Sequence, residues 1–149
     1  MCTTVGFVVS VPDSAHLAAL IEQWMHERKR SIHLYAREPL SLRVFTEGHA
    51  VGRGTTGFEI GAVGSGCSCG LIGECEGPDG EPPCDPVVAR ADVCSLIDLI
   101  CSTPFAWLRF GFTDRYHDLS VHCATPQTIK DVITSGDFPD DTVFHVAGE

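Results

Sequence analysis

Residues 64–86 constrain the fold of this chain more than any other stretch, because they combine many cysteines, glycines, prolines and acids. The segment reads GSGCSCGLIGECEGPDGEPPCDP and contains four of the eight cysteines of the chain and four of its nine prolines. Glycine and proline at this density interrupt helices and strands. A loop of such length inside a compact domain is usually functional, disordered or held by something other than packing. We therefore predict an acidic, cysteine-rich loop at residues 64–86.

The cysteines of this loop have the spacing C-x-C-x5-C-x8-C and are Cys67, Cys69, Cys75 and Cys84. Four thiolates complete the tetrahedral shell of a structural zinc ion, and copper(I) also accepts such ligands. The neighbouring glycines permit the backbone conformations that a tight C-x-C turn requires. The loop carries five acids and no base, and this negative charge attracts a cation. We predict a structural zinc site formed by these four cysteines.

Three other interpretations of the loop stay open from the sequence. The cysteines could be free in a loop without fixed structure, a disulfide such as Cys75–Cys84 could close it, or Cys67 and Cys69 could form a redox pair. Clustered cysteines in a reducing compartment favour metal or redox chemistry over structural disulfides.

The composition limits the partners and the location of the protein. At 149 residues the chain is long enough for one domain with its own core, and we assign residues 1–149 to a single domain. The formal net charge of −10 argues against nucleic acid and anionic membranes, because clusters of lysine and arginine bind both. It is compatible with a basic protein partner.

The N-terminal residues contain a short apolar run without the basic segment of a signal peptide. No apolar run approaches the roughly 20 residues that span a bilayer. We therefore expect a cytoplasmic protein that does not cross a membrane.

Hydrophobic periodicity predicts an α+β fold, a single layered domain in which about three helices pack on a mixed β-sheet. The predicted element order is β-α-β-β-β-loop-α-β-β-α-β, and the acidic loop stands between the fourth strand and the second helix. The strands are predicted at 4–11, 31–36, 40–46, 57–63, 105–113, 119–123 and 142–146, and the helices at 14–29, from Asp85-Pro86 to Thr103-Pro104, and from Thr125-Pro126 to Gly136.

The same pattern predicts how two of the strands pair and which cysteines are buried. Residues 114–118 read DRYHD, which is typical of a hairpin turn, and we expect the strand 119–123 to return beside the strand 105–113. Three of the four other cysteines, Cys94, Cys101 and Cys123, continue apolar faces and are expected in the core, where cysteine behaves as a small hydrophobe.

Several other residues are candidates for catalysis. The opening MCTTVGF is similar to the start of the class II glutamine amidotransferases, with Thr3 in place of their usual glycine. The similarity is confined to these residues and implies that Cys2, once N-terminal, acts as a nucleophile with its own amine as base. Ser120 and His122 share one face of a strand, but they lack the strained turn that usually presents a nucleophilic serine, and we expect both to be surface residues.

We therefore expect a small acidic, cytosolic protein-binding domain, of inhibitor or immunity type, whose cysteine-rich loop binds structural zinc. The alternative is a cysteine-dependent or zinc-dependent enzyme or a thiol redox protein that uses Cys2 or the cysteines at 67–84.

Overall fold

The computed structural model describes residues 5–29, 40–45, 55–62, 86–111, 120–136 and 142–148. These residues form a mixed sheet of six strands and three helices, which confirms the predicted α+β class. The predicted strand at 31–36 and the loop at 64–85 lie outside the described residues. The elements are β1 (Val5–Ser10), α1 (Ser14–Glu27), β2 (Leu40–Phe45), β3 (Thr56–Ala62), α2 (Pro86–Cys101), β4 (Trp107–Gly111), β5 (Ser120–Cys123), α3 (Pro126–Ser135) and β6 (Thr142–Ala147).

The sheet has the strand order β2-β3-β1-β4-β6-β5. All neighbouring strands are antiparallel except β5 and β6, which are parallel. The expected hairpin between the strands at 105–113 and 119–123 is therefore wrong, because β6 lies between β4 and β5. β6 takes the place beside β4, and α3 connects β5 to β6 as a β-α-β crossover, which makes these two strands parallel.

One face of the sheet packs against the helices and forms the core. Side chains alternate between the two faces of a strand, so every second residue of the central strands enters this layer. The core residues contributed by the sheet are Phe7, Val9, Phe58, Ile60, Leu108, Phe110, Phe144 and Val146. The helices contribute Leu17, Ile21, Trp24, Ala89, Val93, Leu96, Ile97, Ile100, Ile129 and Ile133.

Polar side chains and one glycine fix the ends of the helices. The Asp13 carboxylate accepts a hydrogen bond from the His16 N–H at 3.0 Å and caps α1. At α3 the Thr125 hydroxyl accepts from the Thr128 N–H at 3.2 Å, and the Thr128 hydroxyl accepts in return from the Thr125 N–H. Gly136 ends this helix with φ of 76°, the left-handed conformation that favours glycine.

The three cysteines expected in the core have different environments. Cys94 and Cys101 are half-buried and pack against the core, as expected. Cys123 is exposed, and that expectation is wrong. The reason is its position on β5, an edge strand of the described sheet in which all four residues are exposed.

Candidate functional site

The face of the sheet that points away from the helices is called here the outer face. The strand registers place Val8, Arg109, His145 and Cys123 side by side on it, in one row across β1, β4, β6 and β5. Trp107 lies two residues before Arg109 on β4 and therefore shares the outer face. This register brings Trp107 and Arg109 of β4 next to His145 of β6, a strand that is far from β4 in sequence.

Trp107, Arg109 and His145 form what we call the outer-face cluster. The Arg109 Nε–H donates a hydrogen bond to His145 Nδ1 at 3.3 Å. The guanidinium carbon lies 5.3 Å from the centroid of the Trp107 ring, within the range of a cation–π contact. The Trp107 and His145 rings are stacked, with centroids 6.0 Å apart and planes inclined by 27°. Each member thus contacts the other two.

The hydrogen bond from Arg109 determines the tautomer of His145. An imidazole nitrogen accepts only when it carries no proton, so the proton of the neutral ring is on Nε2. His145 therefore offers a donor at Nε2, whereas its basic nitrogen is occupied by Arg109. Cys123 is the register partner of His145 on β5.

The cluster is accessible to a partner. Arg109 is exposed, and Trp107 and His145 are half-buried. Val121, which precedes Cys123 by two residues on the outer face, is 52% exposed. Together they form a surface with one aromatic ring, one cation and one apolar side chain beside the β5 edge.

The cluster rests on a buried part of the same face. Val8 and Val143 are buried although they point away from the helices. Val143 lies opposite Gly111 on β4, where a methyl group would meet Val143 Cγ2 at 3.6 Å, an ordinary van der Waals contact. The outer face therefore combines a packed centre with an exposed cluster toward β5.

The opposite half of the outer face carries a different charged group. Arg43 of β2 and Glu59 of β3 are register partners whose side chains lie 3.9 Å apart. The guanidinium carbon of Arg43 also lies 5.0 Å from the Phe45 ring centroid. This cation is compensated by its neighbour, whereas Arg109 forms no ion pair with any residue that the structure describes.

A groove of about 920 Å³ opens where β1 ends and α2 is followed by the turn into β4. Its wall includes Pro12, Pro104 and Phe105 and the half-buried Cys101. Burial raises the pKa of the Cys101 thiol, and the nearby Asp98 carboxylate acts in the same direction. A thiol kept protonated in this way is a poor nucleophile, and Ser10, Ser102 and Thr103 line the groove together with the apolar residues.

The predicted zinc ligands, Cys67, Cys69, Cys75 and Cys84, lie outside the described residues, as does Cys2. Within the ranges that the structure describes, no three histidine, cysteine or acidic side chains are grouped so that they could hold a metal ion. Ser120 and His122 are exposed on β5, as expected for surface residues. The described helices include none that is long and apolar enough to span a bilayer.

The outer-face cluster is a site that the sequence interpretation missed. The alternation of β4 places Trp107 and Arg109 opposite Leu108 and Phe110, and this much can be read from the sequence. The residue beside Arg109 on the next strand cannot be read from the sequence. The sequence favours a hairpin between β4 and β5 and thereby places the wrong strand next to β4. His145 enters the site only because β6 pairs with β4.

No protein-family model, no curated protein and no solved structure matches this chain. The functional inference therefore depends on the chemistry of the residues described above.

Proposed function

We propose that this protein is a small protein-binding domain of the cytoplasm, of the inhibitor or immunity type, and that it binds its partner through the outer-face cluster. The observation that carries the proposal is the mutual contact of the exposed Arg109 with the half-buried Trp107 and His145. Tryptophan and arginine are enriched among the residues that dominate binding energy at protein interfaces. Here both are held on a rigid sheet beside the exposed Val121, so less conformational entropy is lost on binding.

The charge of the chain and its acidic loop support a partner that is basic overall. A net charge of −10 accelerates encounter with a positively charged protein. The zinc site proposed at Cys67, Cys69, Cys75 and Cys84 would hold the loop in one conformation, with a mainly structural role for the metal.

The binding proposal is tested with a cluster variant and a matched control. The double variant Trp107→Ser/Arg109→Gln removes the ring and the cation, whereas Val44→Ser changes a side chain that is 48% exposed on β2, at the other end of the sheet. Partners captured from a lysate of the source organism are purified and measured by calorimetry. We expect the double variant to weaken binding at least about tenfold and the control to bind as wild type.

The proposal is wrong if no purified candidate binds the chain, or if the cluster variant binds as tightly as wild type. A far-UV circular dichroism spectrum of each variant verifies that the fold is retained. Because both mutated side chains lie outside the core, we expect unchanged spectra.

Metal content tests the zinc proposal separately. We expect about one zinc per chain in protein purified without chelator, and loss of this zinc in the variant Cys67→Ser/Cys69→Ser. Absence of metal, together with one thiol that reacts far faster than the others at neutral pH, would instead favour the cysteine-dependent enzyme.

A further inference from the structure

Arg109 is fixed in position, yet its charge has no carboxylate partner within the described part of the chain. Two other arginines there form ion pairs: Arg28 lies 3.5 Å from Asp92, and Arg43 lies 3.9 Å from Glu59. Arg109 instead donates to Nδ1 of the His145 imidazole. Its positive charge is therefore uncompensated by any described acidic side chain, on a protein that is otherwise strongly acidic.

Most of the hydrogen-bonding capacity of Arg109 is also unused. A guanidinium has five N–H donors, and Nε supplies only one of them. Neither of the two terminal nitrogens of Arg109 forms a hydrogen bond with a described residue. These nitrogens form the planar fork that binds both oxygens of a carboxylate at once.

The neighbouring rings limit the movement of this fork. The Trp107 ring lies under the guanidinium at 5.3 Å, and His145 holds Nε at 3.3 Å. A side chain that is already oriented loses less rotamer freedom when it binds. Because His145 Nδ1 accepts from Arg109, the other nitrogen of this ring, Nε2, is available as a donor.

We propose that Arg109 receives a carboxylate that the protein partner presents, either an acidic side chain or a C-terminal carboxylate. Trp107 packs against the apolar part of the residue that carries this group. The inference rests on the function proposed above and adds the chemistry that the partner brings to the cluster. A partner that is basic overall thus places one acid against the single uncompensated cation of the cluster.

The experiment uses small probes, so it does not depend on knowing the partner. N-acetyl-phenylalanine carries a carboxylate next to an aromatic ring, and N-acetyl-phenylalaninamide is its uncharged counterpart. N-acetyl-glutamic acid α-amide represents an acidic side chain, and phenyl phosphate represents the other common oxyanion. Each is titrated into the ¹⁵N-labelled full chain, and the Arg109 Nε–H, the Trp107 indole N–H and the backbone amides are followed by NMR.

We expect saturable shifts at the cluster with one or both carboxylate probes, with affinity in the millimolar range that suits ligands of this size. The uncharged amide should produce no shift at Arg109. The tighter of the two carboxylate probes indicates whether a C-terminal or a side-chain carboxylate is bound. Absence of saturable shifts with both, or tighter binding of phenyl phosphate than of either, would contradict the proposal.

Variants of Arg109 test whether its two terminal nitrogens bind the carboxylate probe. Arg109→Gln should weaken the carboxylate probe at least about tenfold, and Arg109→Lys should weaken it less, because lysine keeps the charge without the bidentate geometry. Val44→Ser should bind as wild type. Equal binding by Arg109→Gln and wild type would overturn the assignment, and a dispersed amide spectrum shows that the variant is folded.

The outcomes separate this inference from the proposed function. If the probes fail but the partner still requires Trp107 and Arg109, only the carboxylate chemistry is wrong. If the probes bind but no protein partner depends on the cluster, the anion site is real and the protein-binding function is wrong.

Discussion

Gly148, the residue after β6, lies at a point where the backbone leaves no room for a side chain. Its N–H donates to the Ala106 carbonyl at 2.8 Å, and the Ala106 N–H donates to Ser10 at 2.8 Å. A β-carbon added to Gly148 would overlap the carbonyl oxygen of Phe105. The residue thus connects the end of β6 to the turn before β4 and to the end of β1, at the wall of the groove.

The substitution Gly148→Ala should therefore lower the free energy of unfolding by about 1 kcal/mol or more, since the chain must move away and lose a backbone hydrogen bond. Urea denaturation measures the change. Gly111→Ala is the matched control, because its β-carbon would meet Val143 only at 3.6 Å. Equal stability of the two variants would show that the backbone moves without cost.

The indole N–H of Trp24 has one specific partner in the core. It donates to the Ser95 hydroxyl at 2.9 Å and links α1 to α2, and Trp24 is only 4% exposed. Ser95→Ala leaves this donor without a partner and should destabilise the protein by about 1–2 kcal/mol.

Ser102→Ala is the matched control for this change, since that hydroxyl is exposed and its described partner is the carbonyl of Leu99 in the last turn of α2. Thermal unfolding followed by circular dichroism compares the two variants. A loss in Ser102→Ala as large as in Ser95→Ala would contradict the assigned role of the buried hydrogen bond. The burial of Trp24 follows from helical periodicity, whereas its partner, 71 residues further along the chain, is set by tertiary packing.

At the scale of elements, the contact between α2 and α3 contains groups that titrate at alkaline pH. Burial raises the pKa of the Cys94 and Cys101 thiols. The hydrogen bond to Asp98, 2.8 Å in length, raises the pKa of Lys130. In each case the folded state retains protons more strongly than the unfolded chain.

These three groups make the folded state less stable at alkaline pH. An unfolded thiol loses its proton near its ordinary pKa of 9.0, while the folded state still holds it, so the contribution to stability is complete below about pH 9 and decreases as the pH rises through the folded values. We expect the urea midpoint to fall above pH 9. The variant Cys94→Ala/Cys101→Ala should show a shallower decrease, and a slope identical to wild type would contradict this origin.

The elements also show how far sequence patterns reach. The start of α1 at Ser14 and the limits of α3 at Thr125 and Gly136 are local features, and the sequence predicts them correctly. The neighbour of β5 is a nonlocal feature. A polar five-residue turn is compatible with a hairpin, and only the competition of β6 for the edge of β4 decides against it. The exposure of Cys123 and the composition of the outer-face cluster both depend on the pairing of β6 with β4.

At the scale of the whole molecule, the net charge of −10 should govern how fast a basic partner is bound. Long-range attraction between opposite charges raises association rates and is screened by salt. We expect the association rate to fall steeply from low to high salt, while the dissociation rate changes little.

Stopped-flow measurement of the association rate tests the role of the loop charge. The loop variant has Glu74, Glu76, Asp79 and Glu81 changed to serine. Its association rate should be lower at low salt and converge with wild type at high salt. A variant that associates as fast as wild type at low salt would remove the electrostatic argument. The variant Trp107→Ser, in which the loop is unchanged, should instead raise the dissociation rate and change the association rate little.

The position of β6 in the sheet has a consequence for synthesis on the ribosome. β5 pairs in the described sheet only with β6, and Arg109 obtains its hydrogen-bond partner only from that strand. A nascent chain that has not yet released residues 142–147 can pair β2, β3, β1 and β4, but it presents no assembled cluster. The surface proposed for partner binding can therefore assemble only after residues 142–147 have left the ribosome.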